Sequence, residues 1–188
     1  MNQHVSIKTF EGSRPHIVSA DAFWRMIDVG AFANARVELV KGKLIEMAPS
    51  SMPHGMLVAR IGARIYNAYG DRDWVHVIDT YVTLAPATVR APDIAVVART
   101  DDDGTELTGE DVFLAIEVSH STLKEDLERK RIHYAQAGIR HYWVVDVEGE
   151  RVHQFSAQTD GDYASVLVNG FGDAIALPGC DATIVVGS

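Results

Sequence analysis

Residues 112–121 read VFLAIEVSHS, and the fold turns on how this stretch is read. Val112-Phe113-Leu114-Ala115-Ile116 is continuously apolar, the pattern of a strand covered on both faces. Glu117 closes that run. A carboxylate there is costly to desolvate unless it is paired or holds a metal. The arrangement has a counterpart upstream, where Pro92-Asp93 precedes Ile94-Ala95-Val96-Val97-Ala98. Downstream, Ser119-His120-Ser121-Thr122 leads into a helix that carries Asp126 and Lys130. Two strand-end acids and a nearby lysine point to a metal-dependent hydrolytic site.

Working outward, the chain reads as α, then ββ, α, several β, α and β again. Ser19-Ala20-Asp21 caps a first helix expected to run to about Ala33, with Phe23, Trp24, Met26 and Ile27 as its apolar stripe. Val37–Val40 and Lys43–Met47 form a hairpin around Lys41-Gly42. Ser50, Ser51 and Pro53 open a long helix to about Tyr69, with Leu57, Val58, Ile61, Ile65 and Ala68 at helical spacing. Arg60 and Arg64 sit one turn apart on another face of it. Trp74–Ile78, Tyr81–Leu84, Ile94–Ala98, Val112–Val118 and His141–Asp146 read as strands. Asp101–Asp111 reads as a solvated acidic loop. Thr122-x-x-Glu125 has the form of a capping box for a helix stopping at Gly138. Glu148-Gly149 turns into Arg151–Phe155, and Ser165–Val168 and Ala182–Val186 are weaker strands. The expected fold is an α/β sandwich around a mixed sheet, not a doubly wound one.

Composition narrows the function classes. The 188 residues are 47% hydrophobic and 23% charged, which fits one globular domain with a short N-terminal addition. No apolar stretch is long enough to span a bilayer, and Met1-Asn2-Gln3-His4 lacks the pattern of a signal peptide. Cys180 is the only cysteine, leaving no internal disulfide and no thiolate metal cluster. A cytoplasmic location is expected. There is no GxGxxG, no GxxxxGK[ST], no HExxH and no GxSxG, so nucleotide-binding loops, a histidine zinc site and a serine nucleophile elbow are unsupported. Net charge is −9, which opposes nucleic-acid binding. The charge is uneven: residues 100–111 hold six acids and no base, and 146–188 seven acids against Arg151. What remains is mildly basic and contains the candidate site, so a nucleic-acid substrate is permitted.

Magnesium or manganese prefers carboxylate, carbonyl and water oxygens, and one acid from each of two neighbouring strands is a minimal cage. Each candidate also has a plainer reading. Asp93 after Pro92 is also the form of a strand-entry turn. Glu117 could pair with an arginine, and Lys130 with Asp126 could be a surface i, i+4 ion pair. Glu38 alternates with Val37 and Leu39, which could leave it in solvent. His54 could be only a first-turn residue, and Tyr142 and Trp143 core or interface.

The segments VELVKGKLIEM, HGMLVARI, RAPDIAVV and AIEVSHSTLKEDLERKRIHYAQAGIRHYWVVD resemble the Uma2 family, a branch of the PD-(D/E)xK nuclease superfamily. The resemblance covers about residues 36–155, and its specificity lies in the order of EVSxST, DxxxK, Y, AG and YW. It implies a restriction-endonuclease-like three-layer core in residues 36–188, preceded by a helical extension in 1–35. It implies magnesium- or manganese-dependent hydrolysis of phosphodiester bonds in DNA, and frequent homodimers. Asp93 and Glu117 match the motif acids. The usual lysine two residues on is replaced by Ser119, and Lys130 resembles its migrated substitute. Lys130 lies eight residues beyond Thr122, about 12 Å along a helix, so its reach depends on packing.

The resulting expectation is specific. Asp93, Glu117 and the Val118 carbonyl would hold metal, and Lys130 would position or activate water. Glu38 would assist through a second metal or the water, Asp126 would orient Lys130, and His54 would contact phosphate. The Arg60/Arg64 face is a candidate phosphate-binding surface. Two rivals are a nuclease-fold module that no longer cleaves, and a carboxylate-pair glycoside hydrolase. The absent strand lysine and the negative charge favour the first, and the missing aromatic platform opposes the second.

Overall fold

The computed structural model describes residues 17–70, 74–98 and 106–187. Its centre is a six-stranded mixed sheet. In chain order its strands are β3 (Trp74–Ile78), β6 (Ile94–Ala98), β8 (Val112–Ser119), β9 (His141–Asp146), β10 (Arg151–Thr159) and β11 (Asp162–Gly170). They lie in the order β11-β10-β9-β8-β6-β3. β8 and β9 run parallel, and every other neighbouring pair is antiparallel.

Period-2 alternation distributes these strands' side chains between two helices. On one face Ile94, Val96, Leu114, Ile116 and Val118 pack with Val58, Ile61 and Ile65 of α2 (Met52–Tyr69). On the other face Ala95, Val97, Ala115, Tyr142 and Val144 pack with Tyr134 and Ala135. Those two belong to α3, a continuous helix over residues 123–136. β6 and β8 thus present the small Ala95 and Ala115 to the α3 side and larger Ile, Val and Leu side chains to α2. Each such fully buried Ile or Leu is worth roughly 1.5–3 kcal/mol.

A second sheet has the order β2-β1-β5-β4-β7. It comprises β1 (Arg36–Val40), β2 (Lys43–Met47), β4 (Val82–Ala85), β5 (Thr88–Arg90) and β7 (Leu107–Thr108). α1 (Ala20–Asp28) covers it, with Ala20 and Phe23 packed against Val37, Leu39 and Val89. The short hairpin of β12 (Ala174–Ala176) and β13 (Thr183–Val185) closes the end of the α2 face. This is the expected layered α/β core, with mixed sheets flanked by helices.

Several local expectations are corrected. α1 ends at Asp28 rather than near Ala33, because Gly30 at φ 72° and the following turns redirect the chain. Of the expected 1–35 extension, residues 1–16 lie outside the described residues. Asp101–Asp103 of the acidic loop also lie outside them, but residues 107–111 are ordered as β7 and a 3-10 turn. Leu107 pairs alongside Val82, and Gly109 abuts the Ala137 carbonyl so closely that no Cβ would fit. Thr122 does not cap α3 through its side chain, since its hydroxyl is used elsewhere. β10 and β11 are longer than expected, pairing from Arg151↔Gly170 to Thr159↔Asp162.

Candidate active site

The site forms where β6 begins, β8 ends, α2 starts and α3 crosses the sheet. Parity along β8 places Glu117 with Ala115 on the α3 face. α3 widens there into a π turn over Asp126–Lys130, a feature frequent at functional sites. The Arg131 N–H bonds back to the Asp126 carbonyl, which also accepts the Tyr142 hydroxyl at 3.0 Å. Asp126 and Lys130 are thereby turned inward and buried, at 1% and 4% exposure. The i, i+4 pair, for which a surface position was one of the readings, is a core ion pair of 3.0 Å.

Lys130 reaches the strand acid. Its Nζ lies 2.9 Å from Glu117 Oε2, while the Tyr134 hydroxyl donates to Glu117 Oε1 at 2.6 Å. Glu117 Oε2 and Asp126 Oδ1 flank the ammonium as ion-pair partners, and Asp126 Oδ1 has no hydrogen bond of its own among the described residues. Asp126 Oδ2 additionally accepts from the Ser119 and Thr122 hydroxyls, each at 2.6 Å. Burial pushes the Glu117 carboxyl up to about 8, against the opposing pull of Lys130. Burial works against the Lys130 charge as well, but Glu117, Asp126 and Glu38 more than offset it and hold the ammonium above its ordinary range.

Asp93 sits at the mouth of the same cleft. Its Oδ2 accepts from the Val118 backbone N–H at 2.7 Å and lies 3.2 Å from His54 Nε2. Burial alone would raise the Asp93 carboxyl, yet the His54 and Val118 hydrogen bonds hold it below the usual carboxylate range. The reciprocal bond from Asp93 raises His54 despite partial burial. Ser51 caps α2 by accepting the His54 N–H, which fixes where this imidazole enters. His54 Nδ1 is buried without a hydrogen-bond partner among the described residues. His54 thus meets Asp93 through Nε2 while it lines the cleft.

A cleft of about 500 Å³ is lined by Glu38, His54, Asp93, Glu117, Val118 and Lys130, with Arg36 and His120 at its walls. Asp126 stays behind it and contacts Lys130, not the open space. Glu38 is not in solvent: it is 1% exposed, accepting from Arg90 Nη1 at 2.9 Å and the Ala91 N–H at 3.2 Å. Arg60 and Arg64 lie one and a half or more turns along α2 from His54 and line none of this cleft. Arg64 Nη1 donates to the Val185 carbonyl at 2.6 Å, so it serves the β13 contact.

Sequence reading passed over Arg36, Arg90 and Tyr134 as site residues. Tyr134 was detectable in principle, since it follows Lys130 by one turn on the same face of α3. Arg90 stands just ahead of Pro92-Asp93, but no local pattern signals its partners on β1 and α3.

The fold and the paired strand-end acids define a restriction-endonuclease-like protein. The model of the Uma2 family, described as "Putative restriction endonuclease", matches residues 21–184, and the chain belongs to that family. The fold is also similar to a solved structure from Anabaena variabilis described as "a putative nuclease belonging to DUF820". That likeness has a TM-score of 0.66 at 16% identity, covering 86% of this chain and 89% of the other. No curated protein matches the chain in sequence. Among the described residues no helix is long and apolar enough to cross a membrane.

Proposed function

We propose that this protein is a metal-dependent endonuclease that hydrolyses phosphodiester bonds in DNA, acting as a homodimer. The observation that carries the reading is the convergence of Asp93, Glu117 and Lys130 on one cleft, from two strands and a helix. The donor chemistry fits a hard divalent ion. Asp93 Oδ1 has no hydrogen bond among the described residues, and Glu117 and Val118 line the same space. Among the described residues no cluster of three His, Cys, Asp or Glu is spaced to hold a metal. Two carboxylates and a carbonyl are oxygen donors of the kind magnesium or manganese take, with waters filling the rest of the shell.

When bound, such an ion supplies Lewis acidity and neutralises charge on the phosphate. Asp93 would hold it through the oxygen left by His54 and Val118. Glu117 would contribute from the neighbouring strand, fixed by Tyr134. Lys130 would orient the attacking water or stabilise developing negative charge. Asp126, held by Ser119 and Thr122, keeps that ammonium in place.

Cleavage of supercoiled and linear DNA with magnesium or manganese tests the reading, using Glu117→Gln as control. Metal-dependent cleavage lost in the variant supports it, and equal cleavage by both removes it. A second reading, a binding module that no longer cleaves, is favoured by one observation. Both Glu117 oxygens already have protein donors. Calorimetric binding of manganese by the wild type would speak against it.

A further inference from the structure

The peptide that delivers Asp93 to the cleft is gripped from both sides by a single strand. The Ala91 N–H donates to Glu38 Oε1 at 3.2 Å, and the Ala91 carbonyl accepts from Arg36 Nη2 at 3.1 Å. Arg36 and Glu38 are two apart on β1 and share a face. Pro92 restricts both its own φ and the backbone of Ala91, so little freedom remains between this grip and Asp93.

Behind the grip stands Arg90, 2% exposed. Its Nη1 donates to Glu38 Oε2 at 2.9 Å, and its Nη2 to Glu125 Oε1 at 3.0 Å. Its Nε donates to His133 Nδ1 at 3.3 Å. One guanidinium thus joins β5 to β1 and to α3, the helix carrying Lys130. Glu38 has both oxygens committed, one to a buried cation. That cation also repels any metal ion approaching Glu38.

We propose that Arg90 and Glu38 are positioning residues, a clamp that sets Asp93 against Glu117, and that the cleft accordingly takes one divalent ion rather than two. The stoichiometry rests on the metal-dependent reading above, whereas the clamp does not. Glu38 acts through the Ala91 peptide, and Arg90 acts through Glu38.

The test is calorimetric titration of manganese into the full chain, with electron paramagnetic resonance of the bound ion. Wild type is compared with Glu38→Gln, Arg90→Lys and Asp93→Asn. Glu38→Gln retains an oxygen for the Ala91 N–H, and Arg90→Lys retains charge but loses the fork. The expected result is one ion per chain with the spectrum of an isolated ion. Glu38→Gln turns an amide NH2 toward Arg90, so it and Arg90→Lys should each lose roughly tenfold in affinity while still binding one ion, and Asp93→Asn should show no binding. Two ions per chain, a spin-coupled spectrum, or loss of an ion in Glu38→Gln would overturn the proposal. If the wild type binds no manganese, the metal reading fails and the stoichiometry with it. The clamp is then decided by amide hydrogen exchange. Glu38→Ala should accelerate exchange at Ala91 by about tenfold or more while Glu38→Gln does not, in line with loss of a buried hydrogen bond. Unchanged exchange in Glu38→Ala overturns the clamp.

Discussion

The Lys130 ammonium lies 2.9 Å from the Glu117 carboxylate, so a helix residue supplies the cation at the position where β8 itself carries only Ser119. Both groups are almost fully buried, and Asp126 completes the cluster from one turn earlier on α3. Removing the cation would leave two buried carboxylates without their counter-charge. Lys130→Met is therefore expected to lower unfolding free energy by about 3–5 kcal/mol at pH 9, above the Glu117 value of about 8. The loss should shrink at pH 5, where Glu117 is protonated. Urea melts at both pH values check this, and a loss under about 1 kcal/mol at pH 9 would show that the pair does not hold the core together.

Metal affinity should climb with pH. The Glu117 carboxyl is raised by burial to about 8, and a ligating carboxylate must be ionised. Below that value binding has to expel a proton, so manganese affinity should increase from pH 6 to about 8 and then level off. Calorimetry in two buffers of different ionisation enthalpy would detect the released proton. Flat affinity across this range would show that Glu117 is not a ligand.

His133 gives a stability profile of opposite slope. Burial and the neighbouring Arg90 and Lys41 push its imidazole down to about 4. Its folded value lies below the unfolded value of 6.5, so the fold resists protonation. The stabilisation is complete above pH 6.5 and is lost as pH falls toward 4. Glu117 acts the other way, its contribution declining as pH rises from 4.5 to 8. His133→Gln should flatten the melting-temperature profile between pH 6.5 and 4 relative to wild type. An unchanged profile would mean that burial and Arg90 do not hold this imidazole below its unfolded value.

Tyr134→Phe removes only the hydroxyl that donates to Glu117, leaving the ring against Tyr142. Outer partners of ligating groups commonly tune metal affinity by about 10–100-fold. We expect manganese affinity to fall by about tenfold while the fold persists. Tyr163→Phe loses an equally buried hydroxyl, bonded to the Ile139 carbonyl, and should leave affinity unchanged. Equal effects of the two variants would reduce Tyr134 to packing.

Properties set within one element were open to sequence reading. The continuous apolar runs of Ile94–Ala98 and Val112–Ile116, the Ser51 start of α2, and the family pattern around AIEVSHST depend on neighbours in the chain, and they placed Asp93 and Glu117 at strand ends. Tertiary structure decided what those acids meet. The sequence left open whether Glu38 was a site residue or a solvent one, and β5 decided it by bringing Arg90 and Ala91 to it. It likewise left the Lys130–Asp126 pair between the site and the surface, and the π turn of α3 buries both groups beside Glu117. For the Arg60/Arg64 face, packing of α2 sets Arg64 against the Val185 carbonyl of β13, outside the cleft. Hydrophobic period and capping are local and survive in the sequence. Which charges become partners depends on the packing of elements far apart in the chain, and only the folded core sets those distances.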